Sequence, residues 1–311
     1  MSTVHVEQLT KHYGAVHALD GLDLDVAAGT VYGFLGPNGA GKTTTLRILT
    51  GLARPTSGKA QVAGVDVLRA GNALPRKIGH LPEEPAFYTW MTPLEFLDYL
   101  GRLYGLSTSA RKSRSKELLA LVRMEDVSKR RIGGFSRGMR QRLGVAAALI
   151  HHPEVLFLDE PASALDPAGR KEVLDLIENL RGQATVVMST HILADVERVC
   201  DVVGIIAKGK MLVQSPREAL LERYAVPAFE VEADDRPALA SWGESLKRLP
   251  WVTSVTSQNG TLRILVKDVK TAKAALLVGA VGAGLVLNRY EEIRPSLEDV
   301  FLQLVGSESI S

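Results

Sequence analysis

Residues 36–43 read Gly-Pro-Asn-Gly-Ala-Gly-Lys-Thr; the apolar run Val31–Leu35 precedes them, and a helix pattern that Gly51 ends begins at Lys42. Strand, glycine-rich turn and helix in that order make a phosphate-binding loop. Glycines let successive backbone N–H groups turn inward as an anion nest, and the helix start adds about half a positive charge. Gly36, Pro37, Asn38, Gly39, Ala40, Gly41, Lys42, Thr43 and Thr44 are therefore the expected phosphate cradle. In it, Lys42 reaches the β- and γ-phosphates and the Thr43 hydroxyl ligates Mg²⁺.

A second element lies downstream. Val155-Leu156-Phe157-Leu158 is apolar enough to run through a core, and Asp159 and Glu160 emerge at its end. Behind a phosphate loop, that arrangement suits Asp159 to hold Mg²⁺ through a water and Glu160 to act as general base on an attacking water.

Outward from these two elements, strand and helix patterns alternate. Leu22, Leu24 and Val26 alternate with Asp23 and Asp25 as in a half-buried strand. Thr185–Met188 is a short apolar strand, and Asp166-Pro167 reads as a capped helix start with Val173, Leu176, Ile177 and Leu180 on the buried face. About residues 87–150 form a helix-rich insert. Its first helix is expected to bury a stripe of Leu94, Leu97, Leu100 and Tyr104, and its basic stretch (Arg111, Lys112, Arg114, Lys116) to be a solvated face. Composition shifts near Tyr224–Pro227. Beyond it the order strand, helix, strand, strand, helix, strand and a trailing helix is ferredoxin-like, with a turn at Gln258–Gly260. The expected organisation is an α/β domain over 1–224 and a small α+β domain over 225–311.

Composition bounds the class. The chain has 311 residues, 46% hydrophobic and 23% charged, with a net charge of +2, so it is globular and offers no reason to expect a nucleic-acid partner. The lone cysteine, Cys200, excludes an internal disulfide, fits a cytoplasmic setting and reads as a core residue. The longest uncharged apolar run, Ala274–Leu287, is 14 residues with three glycines, short of the roughly 20 a membrane span needs. It reads as a buried helix followed by a turn. His151 and His152 are expected in a surface loop, without metal partners.

Phe135-Ser136-Arg137-Gly138-Met139 opens a helix between the two elements, and Met188-Ser189-Thr190-His191 ends a later strand. Over residues 4 to about 220 this set resembles the ABC ATPases, whose signature segment is typically Leu-Ser-Gly-Gly-Gln. The resemblance implies a mixed sheet core with a phosphate loop and a helical subdomain, with ATP and Mg²⁺ as cofactors. It implies that Tyr13 stacks on adenine, that Ser163–Asp166 forms the loop between sites, and that His191 contacts the γ-phosphate. It also implies a head-to-tail pair of nucleotide subunits, with Ser136 and Gly138 donating to the ATP held by the partner. Arg137 and Met139 depart from the signature. Glu83 stands where the family usually carries Gln, as a Mg²⁺ ligand with an added negative charge.

The ending Pro295–Phe301 is similar to ATPase subunits of type-2 ABC exporters. That implies a separate integral membrane permease, a place on the cytoplasmic face of the membrane, and export, with drugs or antibiotics as the first cargo class. Two rivals are a soluble ABC ATPase acting on ribosomes or DNA and a phosphate-loop kinase or GTPase. The 95 residues from Gly41 to Ser136 show no heptads, and no guanine-reading motif is present. Last, Phe87, Tyr88 and Trp90 follow Glu83 in an unusually aromatic run; at least Tyr88 or Trp90 is expected to be exposed for a membrane partner.

Overall fold

The computed structural model describes residues 2–163, 165–224, 227–258, 260–293 and 297–308. They divide into two compact units, Met1–Arg217 and Glu218–Ser311. The first opens with a long antiparallel hairpin, β1 (Ser2–Tyr13) and β2 (Val16–Ala27). Val4, Val6, Leu9, Leu22, Leu24 and Val26 supply its buried face, with polar residues between most of them.

The chain continues through β3 (Val31–Leu35), α1 (Lys42–Leu49), β4 (Ser57–Val62), β5 (Val65–Asp66), α2 (Ala73–Lys77) and β6 (Ile78–Leu81). A helical stretch follows: α3 (Pro93–Leu103), α4 (Thr108–Leu121) and α5 (Arg137–Ala148). The sheet resumes with β7 (Val155–Asp159), α6 (Pro167–Asn179), β8 (Thr185–Thr190), α7 (Leu193–Val199), β9 (Val202–Ala207) and β10 (Lys210–Pro216).

Two sheets result. One has the order β2-β1-β4-β5; the other has β10-β9-β3-β8-β7-β6, with β10 antiparallel and the remaining pairs parallel. Residues of both sheets and of α1, among them Leu24, Phe34, Leu46 and Phe157, share one hydrophobic core. β3 and β7 are buried along their whole length, which is why they read as unbroken apolar runs. The register of the parallel strands matters most. Leu35 lies opposite Thr190, Ser189 opposite Asp159, and Leu158 opposite Leu81. The carboxyl ends of β3, β8, β7 and β6 therefore stand in a row, so whatever follows each strand is delivered to the same edge of the sheet.

The helical stretch differs from its sequence reading in three places. A capping box between Thr92 and Glu95 starts α3, but its buried residues are Pro93, Phe96, Leu97 and Gly101. Leu94, Leu100 and Tyr104 are only half-buried, because Phe96 rotates the packed face. Arg111 and Arg114 are not solvated. Arg111 donates to Asp98 at 2.7 Å and to the Leu106 carbonyl at 2.7 Å, and Arg114 to the Leu149 carbonyl at 2.8 Å, while Lys112 and Lys116 do face water. His151 is no simple loop residue either. It stacks on Tyr104 with centroids 3.8 Å apart and bonds the Ile78 carbonyl at 2.9 Å.

Helix α8 (Arg217–Tyr224) begins on the last residue of the first unit; the second unit continues through β11 (Ala228–Ala233), α9 (Arg236–Leu246), β12 (Val252–Gln258), β13 (Thr261–Val266), α10 (Val269–Gly282), β14 (Leu287–Ile293) and α11 (Leu297–Glu308). The antiparallel sheet has the order β12-β13-β11-β14, as the ferredoxin-like reading requires. Asn259 in the expected turn, and Pro295 and Ser296 in the tail segment, lie outside the described residues. Phe229, Ile264, Trp242 and Leu276 are in its core. α10 is not the buried helix expected. Ala272, Leu276 and Ala280 pack inward, whereas Leu277, Val278 and Val281 are exposed, since one flank of the helix meets the sheet. Among the described residues, no helix is long and apolar enough to cross a membrane.

Candidate functional site

The row of strand ends brings four segments around one cavity of about 290 Å³. From the loop after β3 it is lined by Asn38 to Thr44, from the loop after β6 by Glu83, from the end of β7 by Glu160, and from the end of β8 by His191. These residues are remote in sequence and were singled out separately.

The glycine loop is built as its composition dictates. Gly41 has φ +110°, and a β-carbon there would sit 2.7 Å from the Ala18 carbonyl, so both conformation and space demand glycine. Lys42 is buried, and its Nζ donates to the carbonyls of Gly36 at 2.7 Å and Pro37 at 3.2 Å. It also stands 3.6 Å from Glu160 Oε1. Burial pushes the Lys42 ammonium below its usual pKa, and Glu160, Asp159 and Glu83 oppose that shift. A buried cation that, among the described residues, is held by two carbonyls and one carboxylate is poised for a stronger anionic ligand.

On the opposite wall, the carboxylates are tied to one serine. Ser189 Oγ donates to Asp159 Oδ1 at 2.5 Å and accepts from the Glu160 amide at 3.2 Å, and that amide also lies 3.1 Å from the Ser189 carbonyl. Thr43 Oγ1 donates to the same Asp159 oxygen at 3.2 Å. Glu160 has φ +48°, a left-handed conformation uncommon for a side-chain-bearing residue. The serine bonds, and Ser163 Oγ donating to the Glu160 carbonyl at 3.0 Å, hold it there. His191 Nδ1 lies 3.0 Å from Glu160 Oε2. An ionised carboxylate only accepts, so Nδ1 carries the proton.

Other expected residues lie elsewhere. Tyr13 does not line the cavity; the residue is 48% exposed, with Lys11 Nζ 4.6 Å from its ring centroid. Its ladder partner Val16 does line it, with His17 and Ala18. Ser136 and Gly138 are also absent from the lining of their own chain's cavity. Ser136 caps α5 by accepting from the Met139 amide at 3.2 Å. Asp166 occupies the cap position of α6 without a side-chain hydrogen bond, contrary to the capped start expected. Ala164, in the expected loop between sites, lies outside the described residues. Ser189 and the segment Val16–Ala18 were missed. A serine interrupting an apolar strand just before a histidine was the available signal for the first.

Residues 19–163 match the family model described as ABC transporter, and residues 216–305 match the ATP-binding protein DrrA1-3-like, C-terminal domain. An uncharacterized ABC transporter ATP-binding protein, YxlF of Bacillus subtilis (strain 168), is 40% identical over 96% of this chain and 98% of its own. The bacitracin transport ATP-binding protein BcrA of Bacillus licheniformis is 36% identical over the full length of both. A solved structure of the ATP binding subunit of an ABC transporter superposes with a TM-score of 0.65 at 29% identity, covering 71% of this chain and 93% of that one.

The serine hub yields a prediction. Ser189 is fully buried, and Ser189→Ala removes the 2.5 Å bond to the Asp159 carboxylate, leaving it Thr43, and one of the two acceptors of the Glu160 amide, leaving it the backbone carbonyl of residue 189. Urea unfolding is expected to show a loss of about 1–3 kcal/mol. An unchanged midpoint and slope would mean that these bonds do not hold the strand ends together.

Proposed function

The chain belongs to the ABC transporter ATP-binding family, and on that premise we propose how its own residues bind and hydrolyse ATP to drive export. The observation that carries the reading is the convergence of Lys42, Thr43, Glu83, Glu160 and His191 on one cavity. The loop from Gly36 to Thr44 cradles the phosphates with its amides, and Lys42 exchanges its carbonyl partners for the β- and γ-phosphates. Glu160 takes the proton of the attacking water, and His191, bonded to that carboxylate, fixes its orientation and reaches the γ-phosphate. Tyr13, across the ladder from Val16, stacks on the adenine.

The residues present fit a magnesium ion. The Thr43 hydroxyl, Asp159 and Glu83 offer oxygen donors only, which suits a hard cation. When bound, Mg²⁺ supplies positive charge to the phosphates and orients them.

Ser136 and Gly138 act on the nucleotide of a second copy, giving a homodimer with two shared sites; their absence from their own chain's cavity supports this. The dimer serves a separate membrane permease from the cytoplasmic face. The relative named for bacitracin transport supports antibiotic or drug efflux as the cargo class.

Replacing Glu160 by Gln keeps its shape and removes its basicity. ATP turnover is expected to fall at least about 100-fold, while ATP affinity stays within about threefold and ATP-dependent dimers accumulate. Turnover within tenfold of wild type would remove Glu160 from the reaction.

The permease contact falls on the aromatic run. Tyr88 is 47% and Trp90 63% exposed, their rings 5.8 Å apart, in the segment joining Glu83 to α3. Exposed aromatic anchors of this kind become buried at interface centres. The double change Tyr88→Ala and Trp90→Ala is expected to leave the isolated chain's ATPase activity within about twofold and to abolish co-purification with the permease. Intact assembly and transport would place the contact elsewhere.

A further inference from the structure

The turn that joins β9 to β10 does not line the nucleotide cavity, yet it is bonded to the back of the phosphate loop. Lys208 and Gly209, with φ of +48° and +80°, form a two-residue hairpin turn that is left-handed at both positions. The Gly209 amide donates to the Ala40 carbonyl at 3.0 Å, and the Asp20 amide donates to the Gly209 carbonyl at 3.0 Å. Lys210 Nζ stands 3.1 Å from Asp20 Oδ2, so the turn is tied to β2 as well as to the loop. A β-carbon on Gly209 would lie 2.9 Å from the Leu19 Cα and 3.0 Å from the Ala18 carbonyl oxygen. Both are backbone atoms that cannot fold aside, so conformation and space alike demand glycine.

The planarity of the peptide bond gives this contact a consequence. The Ala40 carbonyl and the Gly41 amide belong to one rigid unit and point in opposite directions. Fixing the carbonyl on Gly209 therefore turns the Gly41 N–H to the other side, toward the cavity that Gly41 lines. Gly41 is buried, and among the described residues its amide has no hydrogen-bond partner. A buried amide left open in this way is a donor kept for a ligand. Were the peptide unit to turn over, a carbonyl oxygen would replace that donor and oppose an anion.

We propose that Gly209 is a positioning residue for ATP binding: it acts through Ala40, and holds the glycine loop with the Gly41 amide already turned to receive a phosphate oxygen. The loop is thus preset from outside its own segment, by a turn at the far end of the same sheet. The inference rests on reading the Lys42 cavity as the ATP site.

The test compares Gly209→Ala with Gly64→Ala in the full chain, by steady-state ATP hydrolysis and urea unfolding. Gly64 is also left-handed, at φ +75°, in the turn between β4 and β5, but a β-carbon there meets nothing within 4 Å. Both changes strain the backbone and are expected to lower the urea midpoint. Only the first pushes the turn off the phosphate loop. Gly209→Ala is expected to raise the KM for ATP about fivefold, the scale of one lost hydrogen bond. Its kcat is expected to change less than about twofold, because a contact made equally before and during the reaction acts on KM. Gly64→Ala is expected to leave KM within about 1.5-fold, since its strain is remote from the loop. Should the Gly209→Ala chain not fold, replacing Gly209 by glycolate, an ester that deletes the N–H and adds no side chain, is read in the same way. An unchanged KM in the folded Gly209 variant, or an equal rise in the Gly64→Ala chain, would overturn the proposal. Absence of ATP binding by the wild-type chain would instead overturn the ATP-site reading beneath it.

Discussion

A single constraint, the in-register ending of four parallel strands, determines where the candidate site is built. Hydrogen bonding between β3, β8, β7 and β6 fixes Leu35 against Thr190, Ser189 against Asp159, and Leu158 against Leu81. The residues that follow those ends are therefore neighbours, although Gly41 and His191 lie 150 positions apart in the sequence. The apolar interiors of the strands do not choose that chemistry. They make the platform rigid, since a one-residue slip would turn each strand's side chains over.

On this platform the charges explain one another. Lys42 is buried and needs partners; the Gly36 and Pro37 carbonyls and Glu160 supply them, and a triphosphate would supply better ones. Ser189 binds Asp159 and holds the amide of Glu160, so the two adjacent carboxylates share one anchor but face different tasks. The left-handed backbone at Glu160 is the local strain that separates them. What the chain lacks within its own cavity, Ser136 and Gly138, is consistent with a site completed by a second copy.

The fold class was legible because its deciding segment is local: a strand, glycines and a helix within 20 residues. The same holds for the ferredoxin-like unit, whose alternating strands and two helices announce themselves in order. Partnership was less legible. Arg111 and Arg114 look like surface charges until Asp98 and the Leu149 carbonyl arrive from other elements. Phe96 rotates the packed face of α3, and α10 meets its sheet along one flank only, neither of which a run of apolar letters encodes. Ser189 was missed for the same reason: it acts through a carboxylate and a backbone amide brought to it by tertiary packing.

The central claim is that the cavity around Lys42 takes the phosphates of ATP, and direct nucleotide binding to the Lys42→Ala chain tests it most simply. Loss of the buried ammonium removes a charge-assisted phosphate contact. Isothermal titration is expected to show ATP affinity at least about tenfold weaker than wild type, with the folded structure retained by circular dichroism, because charge-assisted bonds contribute about twice what neutral ones do. An ATP affinity equal to wild type in a folded Lys42→Ala chain would contradict the account.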